Sequence, residues 1–207
     1  MAKRILPYRD YSEHDVVNLF ALDVSSATLA DMVPGGSGDF DAGVVVKVSA
    51  GALPGDTPST LETSGGLRDY LGASFSGAHI GFNAYPSNGM TVAPADGSGA
   101  TLGITLRETL AFDENGEKML YYKQKLDEAQ GVLPGETVPV LSKGMVLLAA
   151  SAFSSAPALG DDLEVDSTSG EEGKLVTATS GTVVGKVIAT GTDTSTSAAK
   201  FLCKVSF

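Results

Sequence analysis

The hydrophobic pattern between residues 102 and 148 is the clearest in the chain, and it predicts β-structure. Leu102, Ile104 and Leu106 share one parity, whereas Arg107 and Thr109 fall on the other. A period of two places one side of a strand against the core and leaves the other side in solvent. We therefore expect a half-buried strand here, with its aliphatic side chains on a single face.

Two hairpins are predicted to follow this strand. Asp113-Glu114-Asn115-Gly116 contains Asn-Gly, which tolerates the positive φ angles of a tight turn, and the chain would return through Met119–Tyr122. The apolar segments Val138–Leu141 and Met145–Leu148 flank Ser142-Lys143-Gly144 and predict a second hairpin. Both turns would pair strands that are neighbours in the sequence.

The rest of the chain also favours short strands. Further strands are predicted at Gly43–Val48, Leu163–Asp166, Lys174–Ala178, Thr182–Ala189 and Lys200–Phe207. The chain contains 25 glycines and no tryptophan, and helix is expected only in short turns such as Lys123–Gln130. Short, closely spaced strands joined by tight turns predict a mainly β protein, with one or more small β-barrels or sandwiches, long Gly/Ser-rich loops and little helix.

The sequence divides into three segments. Residues 1–22 are predicted to form an extended N-terminal arm, residues 23–131 a β-rich region with long loops, and residues 132–207 a small C-terminal barrel or sandwich. Residues 59–100 are rich in Ser, Thr, Gly and Ala. A long irregular excursion in a folded domain is usually functional or disordered, so we expect a surface loop there.

The arm supplies the candidate contact residues. These are Tyr8, Arg9, Tyr11, Leu19 and Phe20. Tyrosine, arginine and exposed aliphatic side chains are typical of protein interfaces, so the first hypothesis is an arm that docks on a neighbouring subunit. The alternative is an edge strand folded onto its own domain.

One turn motif occurs twice. Leu53-Pro54-Gly55-Asp56-Thr57 matches Leu133-Pro134-Gly135-Glu136-Thr137. Proline presets φ and glycine accepts a positive φ, which is the combination that a type II turn requires. Two interpretations stay open: a pair of related β modules, or the same turn chemistry used twice.

Charge and cysteine content narrow the function classes. The formal net charge is −11, which argues against nucleic-acid binding because that binding depends on clustered Lys and Arg. Cys203 is the single cysteine and is expected to pack inside a strand rather than react. No apolar run is long enough to cross a bilayer, and residues 1–10 lack the apolar core of a secretory signal. We expect no membrane partner and synthesis in a cytoplasm.

The sequence offers little for catalysis or metal binding. His14 and His79 lie far apart, in unlike contexts, and neither has a partner at metal-ligand spacing. Carboxylates cluster at 113–117 and 161–166, which raises the question of calcium. An EF-hand loop starting at Asp113 fails, since its sixth position is Lys118 instead of glycine. We expect neither enzymatic activity nor a cofactor.

Three segments resemble the head decoration (cement) proteins of tailed bacteriophages. They are LGITLRETLAFDENGEKMLYY (102–122), VLPGETVPVLSKGMVLL (132–148) and GTVVGKVIATGTDTSTSAAKFLCKVSF (181–207), together about a third of the chain. The resemblance implies a small β-rich virion protein on the outer surface of an icosahedral capsid. Its partner would be the major capsid protein, whose subunits it would bridge and stabilise. Self-association as a trimer or dimer is also implied.

Two other functions remain as alternatives. The first is a carbohydrate-binding β-module that would use Tyr70, Tyr85, Tyr121 and Tyr122 as a sugar platform. The lack of tryptophan, the usual stacking residue of such sites, argues against it. The second is a tail or fibre component of a virion.

Overall fold

The fold is mainly β, as expected from the short strands and tight turns. The computed structural model describes residues 4–22, 41–51, 90–110, 122–128, 131–133, 136–193 and 197–207. In chain order the strands are β1 (Ile5–Asp10), β2 (Val16–Val17), β3 (Ala21–Leu22), β4 (Val45–Gly51), β5 (Met90–Pro94), β6 (Thr101–Thr105), β7 (Glu108–Thr109), β8 (Gly131–Val132), β9 (Val140–Leu141), β10 (Lys143–Ala149), β11 (Asp162–Val165), β12 (Leu175–Thr177), β13 (Gly185–Thr192) and β14 (Ala199–Ser206). Among the residues that the structure describes, a short helix, α1 (Lys123–Glu128), lies within the predicted helical segment, and 3-10 turns form at Glu13–Asp15 and Ala150–Ala152.

The strands build two six-stranded sheets. Sheet A has the order β1-β10-β14-β13-β11-β12 and is antiparallel throughout. Sheet B has the order β2-β9-β6-β4-β5-β3, with β3 and β5 parallel and its other neighbours antiparallel. Strands β7 and β8 form a separate parallel pair. The residues 1–22 therefore contribute to both sheets: β1 is an edge strand of sheet A, and β2 and β3 are the edge strands of sheet B.

The main core lies between the two sheets. Sheet B contributes Val45, Ile104 and Leu141 to it, and sheet A contributes side chains such as Leu148 and Phe201. The rings of Phe153 and Phe201 meet edge to face, with 5.0 Å between their centroids. In β14 the buried positions Phe201, Cys203 and Val205 alternate with the more exposed ones, which confirms the predicted alternation of this strand.

Sheet B is buried on both faces, and this changes the predicted side-chain pattern. Val44 and Val46 belong to a second core cluster with Phe20, on the face of sheet B opposite the main core. Leu102 packs against that second cluster, whereas Ile104 lies in the main core. The prediction that these two side chains share a face is wrong. The register of β4 and β6 shifts beside them, and two-sided burial removes the penalty for changing faces.

The predicted hairpin over residues 138–148 is also wrong. Strand β9 pairs with β2 and β6 in sheet B, whereas β10 pairs with β1 and β14 in sheet A. The intervening Ser142 holds the chain at the crossing, because its backbone N–H and its hydroxyl both donate to the Asp15 carbonyl at 2.8 Å. The segment carries the chain from one sheet to the other.

The described residues also test the strands that were predicted elsewhere in the chain. The predicted strands after residue 160 correspond to β11, β12, β13 and β14, and the segment 43–48 overlaps β4. The chain bends at Gly97–Gly99, with positive φ at Gly97 and Gly99. The Asn115-Gly116 hairpin, the first LPG turn and residues 59–89 of the glycine-rich excursion lie outside the described residues.

The same Thr→Val substitution is expected to affect stability differently at two buried threonines. The Thr105 hydroxyl accepts from the Val44 N–H at 3.1 Å and donates to the Asp41 carbonyl at 3.3 Å. Thr109 is 1% exposed and its hydroxyl has no hydrogen-bond partner among the described residues. We expect Thr105→Val to lower the free energy of unfolding by about 2 kcal/mol, because it leaves the buried Val44 N–H without an acceptor. Thr109→Val should leave the free energy of unfolding unchanged or raise it by up to ~1 kcal/mol. Urea unfolding of both variants measures this difference, and equal losses would contradict it.

Candidate interaction surface

The outer face of sheet A carries exposed and half-buried side chains, and no layer of the described residues covers it. Its outward side chains, which we call the lysine face, come from the three central strands: Lys143, Met145 and Leu147 of β10, Lys186 and Ala189 of β13, and Lys200, Leu202 and Lys204 of β14. Their alternating partners Val146, Leu148, Phe201, Cys203 and Val205 point into the core and are buried. The face therefore follows directly from the alternation of each strand.

Register places these side chains in two rows across the sheet. Leu147, Leu202 and Ala189 are cross-strand neighbours and form an apolar row. Side chains that lie directly opposite on one face are within contact distance of each other. Leu147 and Leu202 are only half-buried, so part of their apolar surface stays in contact with water.

The second row is charged. It runs Asp10, Met145, Lys204, Lys186, Asp162 from one side of sheet A toward the other. Lys186 and Lys204 stand directly opposite each other, an arrangement of like charges that destabilises a sheet. An ion pair between the Lys186 Nζ and the Asp162 Oδ1, at 3.0 Å and well exposed, offsets only part of this repulsion.

The distribution of charge makes this face unusual for the chain. The protein has 14 lysines and arginines against 25 aspartates and glutamates. Four of those cations, Lys143, Lys186, Lys200 and Lys204, lie on the lysine face. The acidic residues in the charged row stand at its ends. A basic and apolar face on an acidic protein is complementary to an acidic protein surface that also offers apolar side chains.

Further exposed apolar side chains lie near the face. Ile188, at the bulge of β13, is 43% exposed, and Leu159 is 65% exposed. Backbone hydrogen bonds between residues 160–161 and Val187 bring Leu159 close to this part of β13. Scattered apolar residues are normal on a surface, but an apolar row with extensions at its end is typical of a binding site.

The five contact residues predicted from the arm do not share one surface. Tyr8 lies in β1 and is 51% exposed, and Leu19 is 36% exposed. Phe20 is 9% exposed and packs in the second core cluster, and Tyr11 is half-buried against the main core. Arg9 is half-buried and donates from Nη1 to the Leu106 carbonyl at 3.2 Å. Only Tyr8 stands on sheet A with an exposed side chain, so it is the predicted residue that is best placed to contact a partner of the lysine face.

The candidate catalytic and metal-binding side chains lie apart from one another or already have hydrogen-bond or ion-pair partners. His14 is exposed on a 3-10 turn, whereas Cys203 is fully buried and burial raises the pKa of its thiol to about 12. The carboxylates at 161–166 turn to separate partners: Asp161 accepts from the Ala158 N–H, Asp162 pairs with Lys186, and Asp166 accepts from Ser154 and Thr168. Within the described ranges, no three His, Cys, Asp or Glu side chains converge as a metal site would require.

A groove of about 290 Å³ opens between the Gly97–Gly99 turn, the end of β11 and the loop at Gly181. Its described lining contains one side-chain carboxylate, that of Glu164. Desolvation would raise the pKa of this carboxyl, but hydrogen bonds from the Gly181 N–H and from Thr179 outweigh it and leave the pKa below the usual value. A carboxylate that stays ionised and is already hydrogen-bonded is poorly suited to general acid–base catalysis.

Of the four tyrosines in the carbohydrate-binding alternative, one lies among the described residues. Tyr122 is 43% exposed, whereas Tyr70, Tyr85 and Tyr121 of the proposed sugar platform lie outside the described residues. Of the helices that the structure describes, none has the length and apolar character needed to span a bilayer.

The Asp96–Lys47 ion pair near the groove predicts acid sensitivity. The Lys47 Nζ lies 2.7 Å from the Asp96 carboxylate, which also accepts from the Ser98 N–H and hydroxyl. Desolvation opposes these bonds, but they lower the pKa of Asp96 to about 2. A depressed carboxyl pKa stabilises the fold above pH 4 and loses that effect as pH falls toward 2. We expect Asp96→Asn to cost about 0.5–1 kcal/mol at pH 6, since the pair is partly exposed. Urea unfolding of both proteins between pH 6 and pH 2 checks this, and a difference that does not shrink contradicts it.

Comparison of the chain with family models, with curated proteins and with solved structures found no match. The class of protein is therefore described by its fold and its surface alone. The chain is a mainly β protein with two six-stranded sheets that share a core, and its most distinctive described surface is the lysine face.

Proposed function

We propose that the chain is a structural virion protein that binds the outer surface of a tailed-phage capsid and stabilises it by bridging major capsid protein subunits. The observation that carries the binding role is the lysine face: an uncovered sheet surface in which an apolar row adjoins a pair of facing lysines. The resemblance of residues 102–122, 132–148 and 181–207 to head decoration proteins supports the capsid as the target.

Binding of an acidic partner would stabilise both the charged row and the apolar row of the lysine face. Lys186 and Lys204 repel each other in the free protein, and a carboxylate from a partner would remove this repulsion. The half-exposed Leu147 and Leu202 would lose their contact with water at the same time. A sheet face is already ordered, so binding would cost little conformational entropy.

Stabilisation would follow from bridging. A specific interface of standard size buries roughly 1,600 Å² in total, which is within reach of a six-stranded sheet face and its margins. When one copy contacts two capsid subunits, the second contact becomes intramolecular and raises the overall avidity. Subunits joined in this way are harder to separate under the pressure of packaged DNA.

Cosedimentation with purified, expanded capsid shells tests the proposal. We expect saturable binding with a fixed number of copies per shell, weakened as salt rises from 50 to 500 mM because charged surface contacts are screened. Shells with and without the bound protein are then compared for loss of DNA on heating. Absence of saturable binding contradicts the proposal.

A glycan array separates this proposal from the carbohydrate-binding alternative. The side chains of the lysine face include no aromatic residue, and the exposed Tyr8 lies on the neighbouring strand β1. We therefore expect no glycan to be retained. Array hits together with no affinity for shells would favour the sugar-binding function instead.

A further inference from the structure

The β13–β14 hairpin extends beyond the strand that flanks it on one side. Strand β13 pairs with β14 along its length, from Gly185 opposite Val205 to Thr192 opposite Ala199. Strand β11 covers only Gly185 and Lys186, and residues 160–161 cover Val187. From Ile188 to Thr192, no described strand pairs with the other edge of β13, and all five residues are exposed.

This free edge lacks the usual protection against strand pairing. Natural edges carry lysine or proline, stay very short, or are covered by other segments. The outer strand β1 contains Pro7 and Arg9, the sheet B edges β2 and β3 have two residues each, and Phe153 and Ser154 cover part of β12. The β13 edge reads Ile-Ala-Thr-Gly-Thr and carries no charge, and its one irregularity, the bulge at Ile188, lies at its start.

We propose that the free edge of β13 pairs antiparallel with the same edge of a second copy of this chain, joining two sheets A across a twofold axis. An isologous contact of this kind needs a surface that is complementary to itself. An axis at Thr190, the midpoint of the edge, sets Thr190 opposite its own copy and Ile188 opposite the partner's Thr192. Thr–Thr pairs are favourable between antiparallel strands.

The absence of charge on this edge favours a second copy as the occupant. Each chain carries a net charge of −11, so two copies repel each other, and a contact made of uncharged residues adds no further repulsion. Added salt would screen the overall repulsion and strengthen the dimer. This is the opposite of the salt effect expected for docking through the lysine face, so the two contacts are distinguishable in one titration.

Cysteine crosslinking tests the pairing and its register. Facing Cα atoms in an antiparallel pair are about 4.5–5.5 Å apart, which lies within the range that a disulfide spans. We expect Thr190→Cys to form a disulfide-linked dimer under mild oxidation. The matched control Thr192→Cys would not, because four residue steps along the strands separate the two copies of that position by ~13 Å. Cys203 does not interfere, since it is fully buried.

Charged substitutions at Thr190 test the dimer independently, by sedimentation measurements of the monomer–dimer equilibrium. We expect Thr190→Lys and Thr190→Glu each to raise the dissociation constant of the dimer at least 10-fold more than the exposed-loop control Thr182→Lys does. An equal mixture of the two Thr190 variants should restore the dimer. Disulfides from both cysteine variants or from neither, or a mixture that stays monomeric, would overturn the proposal. No capsid is present in these assays, so their outcome is separate from that of the proposed function.

Discussion

Gly103→Ala is expected to destabilise the protein by at least ~3 kcal/mol, the largest effect of any single methyl group that the structure suggests. A Cβ at this position would lie 2.1 Å from the Leu141 carbonyl oxygen and 2.9 Å from a methyl carbon of Val140. The first of these is backbone of the adjacent strand β9, which cannot rotate away. The new atom would have to separate β6 from β9 and disturb both cores, because Ile104 and Leu141 pair in the main core beside this contact.

Thermal and urea unfolding of Gly103→Ala measure this effect, with an expected fall in melting temperature on the order of 10 °C. Gly160→Ala is the matched control, since Gly160 also has a positive φ (+87°) but no atom of the described residues within 4 Å of its hypothetical Cβ. That variant should lose only about 1 kcal/mol, from backbone strain. Similar losses for the two variants would show that the close approach of β6 and β9 is not what requires glycine.

Lys204→Glu is expected to weaken binding to capsid shells at least 10-fold while leaving the fold as stable as before, or slightly more stable. The substitution removes the repulsion between Lys204 and Lys186 and places a carboxylate opposite Lys186 instead, which favours the folded sheet by a few tenths of a kcal/mol, roughly. The same change reverses the charge that an acidic partner would meet at the centre of the lysine face. Binding and stability should therefore move in opposite directions.

Arg107→Glu is the control for this variant. Arg107 is exposed beside sheet B, away from the lysine face, and its substitution changes the net charge by the same amount. Cosedimentation with shells and urea unfolding are measured on both proteins. If Arg107→Glu weakens binding as much as Lys204→Glu does, the effect comes from total charge and the lysine face is not the docking surface.

Local periodicity predicted much of the fold, but not its sheet assignments. The alternation of Phe201, Cys203 and Val205 was sufficient to place β14 and its buried side. Alternation could not show that Val140–Leu141 and Met145–Leu148 belong to different sheets, since both segments are apolar and separated by a polar turn. The decisive contacts, such as Ser142 with the Asp15 carbonyl, join residues 127 positions apart, and no short-range pattern reports them.

The candidate surface was less predictable than the fold. The alternation of Lys200, Leu202 and Lys204 is visible in the sequence, and it shows that these side chains share one face. It does not show that Lys186 stands opposite Lys204, or that the face lacks a covering layer, because both depend on which strands become neighbours. Tyr8, Arg9 and Tyr11 were predicted from their residue types, and the structure leaves Tyr8 exposed but half-buries Arg9 and Tyr11.

Strand β10 has consequences for how the protein folds. It lies between β1 and β14, so its two neighbours come from segments almost two hundred residues apart in the sequence. During synthesis, residues 5–10 must wait for residues 143–149 before they can pair, and β10 in turn waits for residues 199–206. Such long-range pairing slows folding to the millisecond-to-second range, because the entropy of closing large loops is lost before the contacts form. Sheet B, whose strands all precede β10, can assemble first and serve as the template on which sheet A closes.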